Sequence, residues 1–154
     1  MKLFDKALSH YKTKGYKVSG YIFDITDDKL AATKISEMVS DGGQIDILVN
    51  NAGIIKRELA TTMPVDDFRR VIEVDLVGAF IISQLLGNRM IKNGGGKIIN
   101  ICSMMSELGR NSVSEDLAGT AIFLASKASD FVNGQIVYVD GGILATIGKP
   151  SNEI

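Results

Sequence analysis

The stretch from Pro64 to Ile91 constrains this 154-residue chain more than any other part of it. It reads as one long helix, opened by a proline that a first helical turn tolerates, with Asp66 and Asp67 facing the positive helix N-terminus. Between Leu76 and Ile82 the pattern is apolar nearly all round. Such a helix needs cover on two sides, a sheet on one and a further helix or a second subunit on the other.

The flanking segments supply the sheet. Leu3, Phe4, Ala7, Leu8 and Tyr11 recur at helical spacing and Gly15 closes that pattern, which predicts an amphipathic opening helix. Lys17 to Phe23 reads as a strand ending at Asp24. Thr26-Asp27-Asp28 caps a predicted helix through Met38, with Leu30, Ile35 and Met38 on its inner face, and Asp41-Gly42-Gly43 breaks it. Ile45 to Val49 is a short apolar run of the kind found in a parallel strand covered on both faces. After the long helix, Asn93-Gly94-Gly95-Gly96 leads into a strand over Lys97 to Ile101. Ser112 and Glu115 have capping-box spacing ahead of Leu117, Ala118, Ala121, Ile122 and Leu124, which predicts another helix. Asn133-Gly134 turns the chain into a last strand, Gln135 to Val139, stopped by Asp140-Gly141-Gly142. Helices alternating with about four strands give an α/β domain with a mostly parallel sheet.

Composition narrows the function classes. The formal net charge is −1 and the basic residues form no block, so a nucleic-acid or anionic-membrane footprint is absent. No run of roughly 18 uncharged apolar residues occurs, and charges at Lys2, Asp5 and Lys6 interrupt any secretory leader, which predicts a soluble cytoplasmic protein. Cys102 is the only cysteine, which rules out an intrachain disulfide or a cysteine metal cluster, and it reads as a buried small hydrophobe. His10 is the sole histidine and reads as a solvated surface residue rather than a ligand or base.

Four markers stand in a fixed order: Asn50-Asn51-Ala52-Gly53 after an apolar strand, the long helix, a strand running Lys97-Ile98-Ile99-Asn100-Ile101-Cys102 into Ser103, and Val139-Asp140-Gly141-Gly142. In that order they resemble the short-chain dehydrogenase/reductase family over nearly the whole chain. The blocks Asn51 to Arg57 and Lys97 to Arg110 are similar to its sugar-acid members. The resemblance implies a Rossmann-like three-layer fold, here a single incomplete domain over residues 1–154. It implies NAD or NADP as cofactor, and hydride transfer between nicotinamide and a sugar acid such as gluconate or 5-ketogluconate.

By the same resemblance, Ser103 is the serine that hydrogen-bonds the substrate carbonyl, and its bland alternative is an ordinary strand-end hydroxyl. Asp75 sits where many relatives carry Asn in the long helix, and a carboxylate, which only accepts hydrogen bonds, replaces an amide in part. Asp24 corresponds to the acid that contacts the adenine amino group, with helix capping as its alternative, and Ile25 beside it is a further cofactor-binding candidate. Asn51, Ala52 and Gly53 correspond to the turn beside the cofactor ribose, where small residues permit close approach.

Two of the family's blocks have no counterpart in these residues. None of the 16 glycines has GxxxGxG or GxGxxG spacing, the pattern that lets a backbone approach a pyrophosphate at a helix N-terminus. The match starts at what resembles the helix after the family's second strand. The family's catalytic Tyr lies about thirteen residues after its serine, with Lys four further on. Counting from Ser103 gives Asp116 and Thr120, and Tyr11, Tyr16, Tyr21 and Tyr138 are followed four residues later by Gly15, Gly20, Ile25 and Gly142. The match runs to Ser114 and resumes at Glu115 with what resembles the family's last helix.

These gaps set the structural expectations. With the family's strand order 3-2-1-4-5-6-7, this chain has counterparts of 3, 4, 5 and 7 only. Strand 3 must therefore pair directly with strand 4 or pack loosely, because unpaired backbone groups at a buried edge cost about as much as lost hydrogen bonds. The second apolar face of the long helix should be exposed, which predicts an oligomer or a marginally stable monomer. Two functions from different classes fit this pattern. One is an oxidoreductase of this family that is inactive or impaired because the Gly-rich loop and Tyr-x-x-x-Lys are absent. The other is a non-catalytic truncated subunit that associates with a full-length relative.

Overall fold

The computed structural model describes residues 2–102 and 113–142. The chain groups into two compact units, Met1–Ile45 with Ala52–Arg89, and Asp46–Asn51 with Met90–Ile154.

The first unit is helical. Helix α1, Lys2–Thr13, ends as expected before Gly15, whose φ of 80° suits a residue without a Cβ. Lys17 to Phe23 does not form a strand. It runs without a ladder and packs tightly at Gly20, where a Cβ would collide with Phe4 and Leu8 of α1. Helix α2, Asp28–Gly42, is capped by Asp27, whose carboxylate accepts the Leu30 N–H at 2.9 Å. Its inner face is set by Ala31 and Ile35, both buried, with Met38 half-buried, while Leu30, expected on that face, is exposed.

The long helix runs Val65–Lys92 with Pro64 at its N-cap. It comprises α3, Val65–Ile72, a π-helical segment, Glu73–Gly78, and α4, Ala79–Lys92. Val74, Gly78, Ile82, Leu86 and Met90 recur every fourth residue and are buried. Phe68, Ile72, Leu76 and Phe80 recur at the same interval on another face and are exposed, Phe80 by 62%. The second apolar face is therefore uncovered among the described residues, as the sequence predicted.

By length and composition this helix is also apolar enough to cross a bilayer, although Asp75 and Arg89 interrupt it and confine its uncharged run to Leu76 through Asn88. Both charges find polar partners off the helix: Asp75 accepts the Ile54 N–H at 2.9 Å, and Arg89 donates to the Ser36 hydroxyl at 2.9 Å.

The second unit holds the sheet. Strands β1, Ile47–Asn50, and β2, Lys97–Asn100, pair in parallel with Leu48 opposite Ile98 and Val49 opposite Ile99. Lys97 N–H to the Asp46 carbonyl and Ile101 N–H to the Asn50 carbonyl, both 2.9 Å, extend the ladder at each end. Leu48 and Ile99 are the buried positions. Helix α5, Ala118–Ala125, follows a 3-10 turn at Ser114–Leu117 and packs on β2. The cap of that turn differs from the expected box: the Asp116 carboxylate, not Glu115, accepts the Val113 N–H at 3.1 Å, and Ser112 lies outside the described residues. Ser129, 2% exposed, donates to the Leu124 and Ser126 carbonyls and accepts from Lys97, which also pairs with Asp130 at 2.8 Å.

Gln135 to Val139, the predicted last strand, forms no strand pairing among the described residues, and Ile136 is 77% exposed. The parallel α/β character is present, but the described sheet has two strands rather than about four. The physical reason is the one the strand order implied. β1 and β2 are neighbours in that order, whereas among the described residues no strand lies beside 17–23 or 135–139 to complete a ladder.

Candidate functional site

A turn and an irregular segment carry the family-marked residues, and each is fastened to the long helix. The first contains Asp24 and Ile25. Asp24 Oδ1 accepts both the Thr26 N–H at 2.9 Å and the Thr26 hydroxyl at 2.7 Å, and the Asp27 N–H returns to the Asp24 carbonyl at 3.2 Å. The capping alternative for Asp24 is thereby corrected: Asp27 caps α2, and Asp24 closes the turn before it. Asp24 Oδ2 faces the Arg70 guanidinium at 3.4 Å. The Thr26 hydrogen bonds, then the Arg70 charge, hold the Asp24 carboxyl below its ordinary range.

Ile25 reaches Gly78 so closely that a Cβ there would lie 2.8 Å from the Ile25 side chain. Gly78 is thus the residue that lets this turn settle on the helix, and it ends the π-helical segment. Widened turns of this type are often found at functional sites.

The second is the segment Asn51-Ala52-Gly53, exposed, directly after β1, and irregular rather than the turn expected from the sequence. Its exit is held by Asp75, which sits within the π-helical segment and takes the Ile54 N–H on Oδ1. A Cβ on Gly53 would make ordinary contact with the Asp75 carboxylate at 3.5 Å. Asp75 therefore works as a backbone anchor here, an acceptor role that an amide oxygen fills equally well. Ser103 lies outside the described residues, as does the block from Met104 to Asn111. Cys102 is exposed and free, not buried, because β2 ends at Asn100. His10 is exposed on α1 and stacks edge-on with Tyr11.

Sequence reasoning misses Arg70 and the π-helical segment. Arg70 gives no signal, because its partner lies 46 residues earlier in the chain. Gly78 and Asp75, a glycine and a charge inside an apolar helix, are the signs that could have marked the segment.

Residues 2–132 match the sequence profile of the short chain dehydrogenase family. The chain belongs to that family. It is 40% identical to 2-dehydro-3-deoxy-D-gluconate 5-dehydrogenase of Formosa agariphila, an alignment covering 97% of this chain and 81% of the relative. Among solved structures it resembles 2-keto-3-deoxy-D-gluconate dehydrogenase from Streptococcus agalactiae, with 38% identity, a TM-score of 0.78, and coverage of 97% of this chain and 83% of that one. A gluconate 5-dehydrogenase from Burkholderia cenocepacia, solved in complex with NADP and tartrate, gives 29% identity and a TM-score of 0.81 over 91% of this chain and 80% of that one. The Formosa alignment spans 215 positions against a chain of 154 residues, so at least 61 positions of the relative face no residue here.

Proposed function

We propose that this chain is a sugar-acid member of its family that uses NAD or NADP, and that in these 154 residues hydride transfer is slow or absent. The substrate class rests on the relatives, which act on gluconate and 2-dehydro-3-deoxy-gluconate. Both are six-carbon acids, with the reaction at C5.

The described residues fit one end of the cofactor. Asp24 Oδ2 offers an acceptor to the exocyclic amine of adenine, and Ala52 and Gly53 present a small, exposed segment for a ribose. No glycine-rich turn for the pyrophosphate is found among the glycines of the sequence. When bound, the nicotinamide supplies or accepts the hydride, and the protein must move the proton that accompanies it.

That proton is where the chain falls short, and one observation carries the conclusion: no Tyr has a Lys four residues later. A phenol with an ordinary pKa near 10 needs a neighbouring ammonium before it exchanges a proton with a substrate oxygen near neutral pH, and such general acid–base help is worth roughly 10²–10⁴-fold in rate. Tyr21 departs in the unhelpful direction, its hydrogen bond to Asp41 at 2.7 Å raising its pKa. Assays with 5-ketogluconate and 2-dehydro-3-deoxy-gluconate, with NADH or NADPH and with the oxidised cofactors, should show turnover at least about 10²-fold below an intact sugar-acid dehydrogenase. Turnover equal to such an enzyme contradicts the reading.

The exposed stripe Phe68, Ile72, Leu76 and Phe80 favours a second reading, a non-catalytic subunit that self-associates or joins a full-length relative in the cytoplasm. Co-purification with such a relative, abolished by Leu76→Glu, supports it.

A further inference from the structure

The turn at Asp24 contains one unused acceptor, and its placement is controlled by a residue that no motif marks. An ionised carboxylate offers about four acceptor positions, two on each oxygen. Among the described residues, Thr26 takes both positions on Asp24 Oδ1, and Arg70 faces Oδ2 through a single long contact of 3.4 Å. One position on Oδ2 remains, and the carboxylate is half exposed, so a ligand can reach it. Arg70 holds the oxygen that carries this open position. Arg70 is itself only half covered, which leaves its planar guanidinium beside the ligand position and able to lie against an aromatic face.

We propose that Arg70 is a positioning residue for purine recognition: it fixes Asp24 Oδ2 so that its free acceptor position selects a 6-amino purine over a 6-oxo purine. The inference rests on the reading of the Asp24 turn and the Ala52-Gly53 segment as the adenosine end of a nucleotide site, and it adds the residue that sets the selectivity there. A 6-amino group donates to a carboxylate. A 6-oxo group can only accept, and set against Oδ2 it leaves two acceptors facing each other, a repulsion that discriminates without any clash of shape. Ile25 packed into the space at Gly78 keeps the turn from shifting to relieve that repulsion.

The test is direct binding of 5′-AMP and 5′-IMP to the full chain by calorimetry, for the native protein, Arg70→Gln and Arg70→Lys, with thermal unfolding of each as a check on the fold. The native chain should prefer AMP over IMP by about tenfold, which corresponds to about 1.4 kcal/mol. Arg70→Gln should weaken AMP by roughly three- to tenfold, leave IMP unchanged and so erase the preference. Arg70→Lys, which keeps the charge without the fork, should recover part of it, and it carries the test should the glutamine variant fail to fold. A purely structural ion pair would weaken both nucleotides alike, and that result overturns the proposal, as does tighter AMP binding by Arg70→Gln, which would make Arg70 a competitor. A native chain that binds AMP with Arg70→Gln unchanged refutes the role of Arg70 alone. A native chain that binds neither nucleotide refutes both the role and the adenosine-end reading beneath it.

Discussion

Ile47–Asn50 and Gln135 to Val139 are both short, β-branched runs bounded by turn residues, yet only the first is a strand. Ile47–Asn50 meets Lys97–Asn100 in parallel register and buries Leu48 and Ile99. Gln135 to Val139 has the same kind of composition, no ladder among the described residues, and exposed side chains throughout. Strand pattern is a property of a segment, whereas a strand is a relation between two. Hydrophobic alternation states a preference, and the hydrogen-bond ladder exists only where a neighbour is present to complete it.

The largest expected contrast is in stability. Leu48→Ala, in the paired region, should cost about 2–5 kcal/mol by urea unfolding, while Ile136→Ala should stay within about 0.5 kcal/mol. Equal costs would show that 135–139 is packed after all and would remove the distinction between the two segments. A smaller effect is expected at the entrance to β2, where a Cβ on Gly96 would meet Met90 and approach the Asp46 carbonyl to 3.0 Å. Gly96→Ala should cost about 1–3 kcal/mol through overpacking, whereas Gly134→Ala, with open space around it, should cost only the strain of its φ of 65°.

At the segment of Ala52 and Gly53, on the exit from β1, the expected effect is smaller again. Asp75→Ala removes the acceptor for the Ile54 N–H and should cost about 0.5–1.5 kcal/mol, while Asp75→Asn keeps an acceptor oxygen and should cost less than half of that. If the two variants are equally destabilised, the charge rather than the hydrogen bond is what matters.

The smallest effects are in pH dependence. Asp24 has a folded pKa below its unfolded value, so its contribution is present above the unfolded carboxylate range and is lost as pH falls through the depressed folded value. Tyr21 has the opposite sign: its folded pKa is raised, so the Asp41 hydrogen bond contributes below the ordinary phenol range and is lost as pH climbs through the raised value. Asp24→Asn should flatten the acid limb of a stability–pH curve and Tyr21→Phe the alkaline limb. A curve unchanged by either variant would show that these exposed contacts are silent.

What the sequence made legible was local. Helix boundaries followed from Gly15, Asp27 and Pro64, and the β1–β2 pair from two apolar runs flanking one helix, because these depend on residues a few positions apart. Of the site, the Ala52-Gly53 segment and Asp24 were readable from motif order. Less legible were features set by distant neighbours. Arg70 reaches Asp24 only once the helix is in place, the π-helical segment ends at the glycine on which Ile25 packs, and 17–23 and 135–139 have strand composition but no ladder among the described residues. Cys102 reads as buried in the sequence and is exposed in the fold.

On the proposed reading, the scaffold keeps a nucleotide-binding end without the proton-handling pair that makes hydride transfer fast. A single-turnover experiment, with the chain in molar excess over NADPH and saturating 5-ketogluconate, separates these two properties because weak cofactor binding no longer limits the signal. Nicotinamide absorbance that persists, with the cofactor recovered reduced, is the expected result. Complete oxidation within the time an intact sugar-acid dehydrogenase needs for a few turnovers would contradict it.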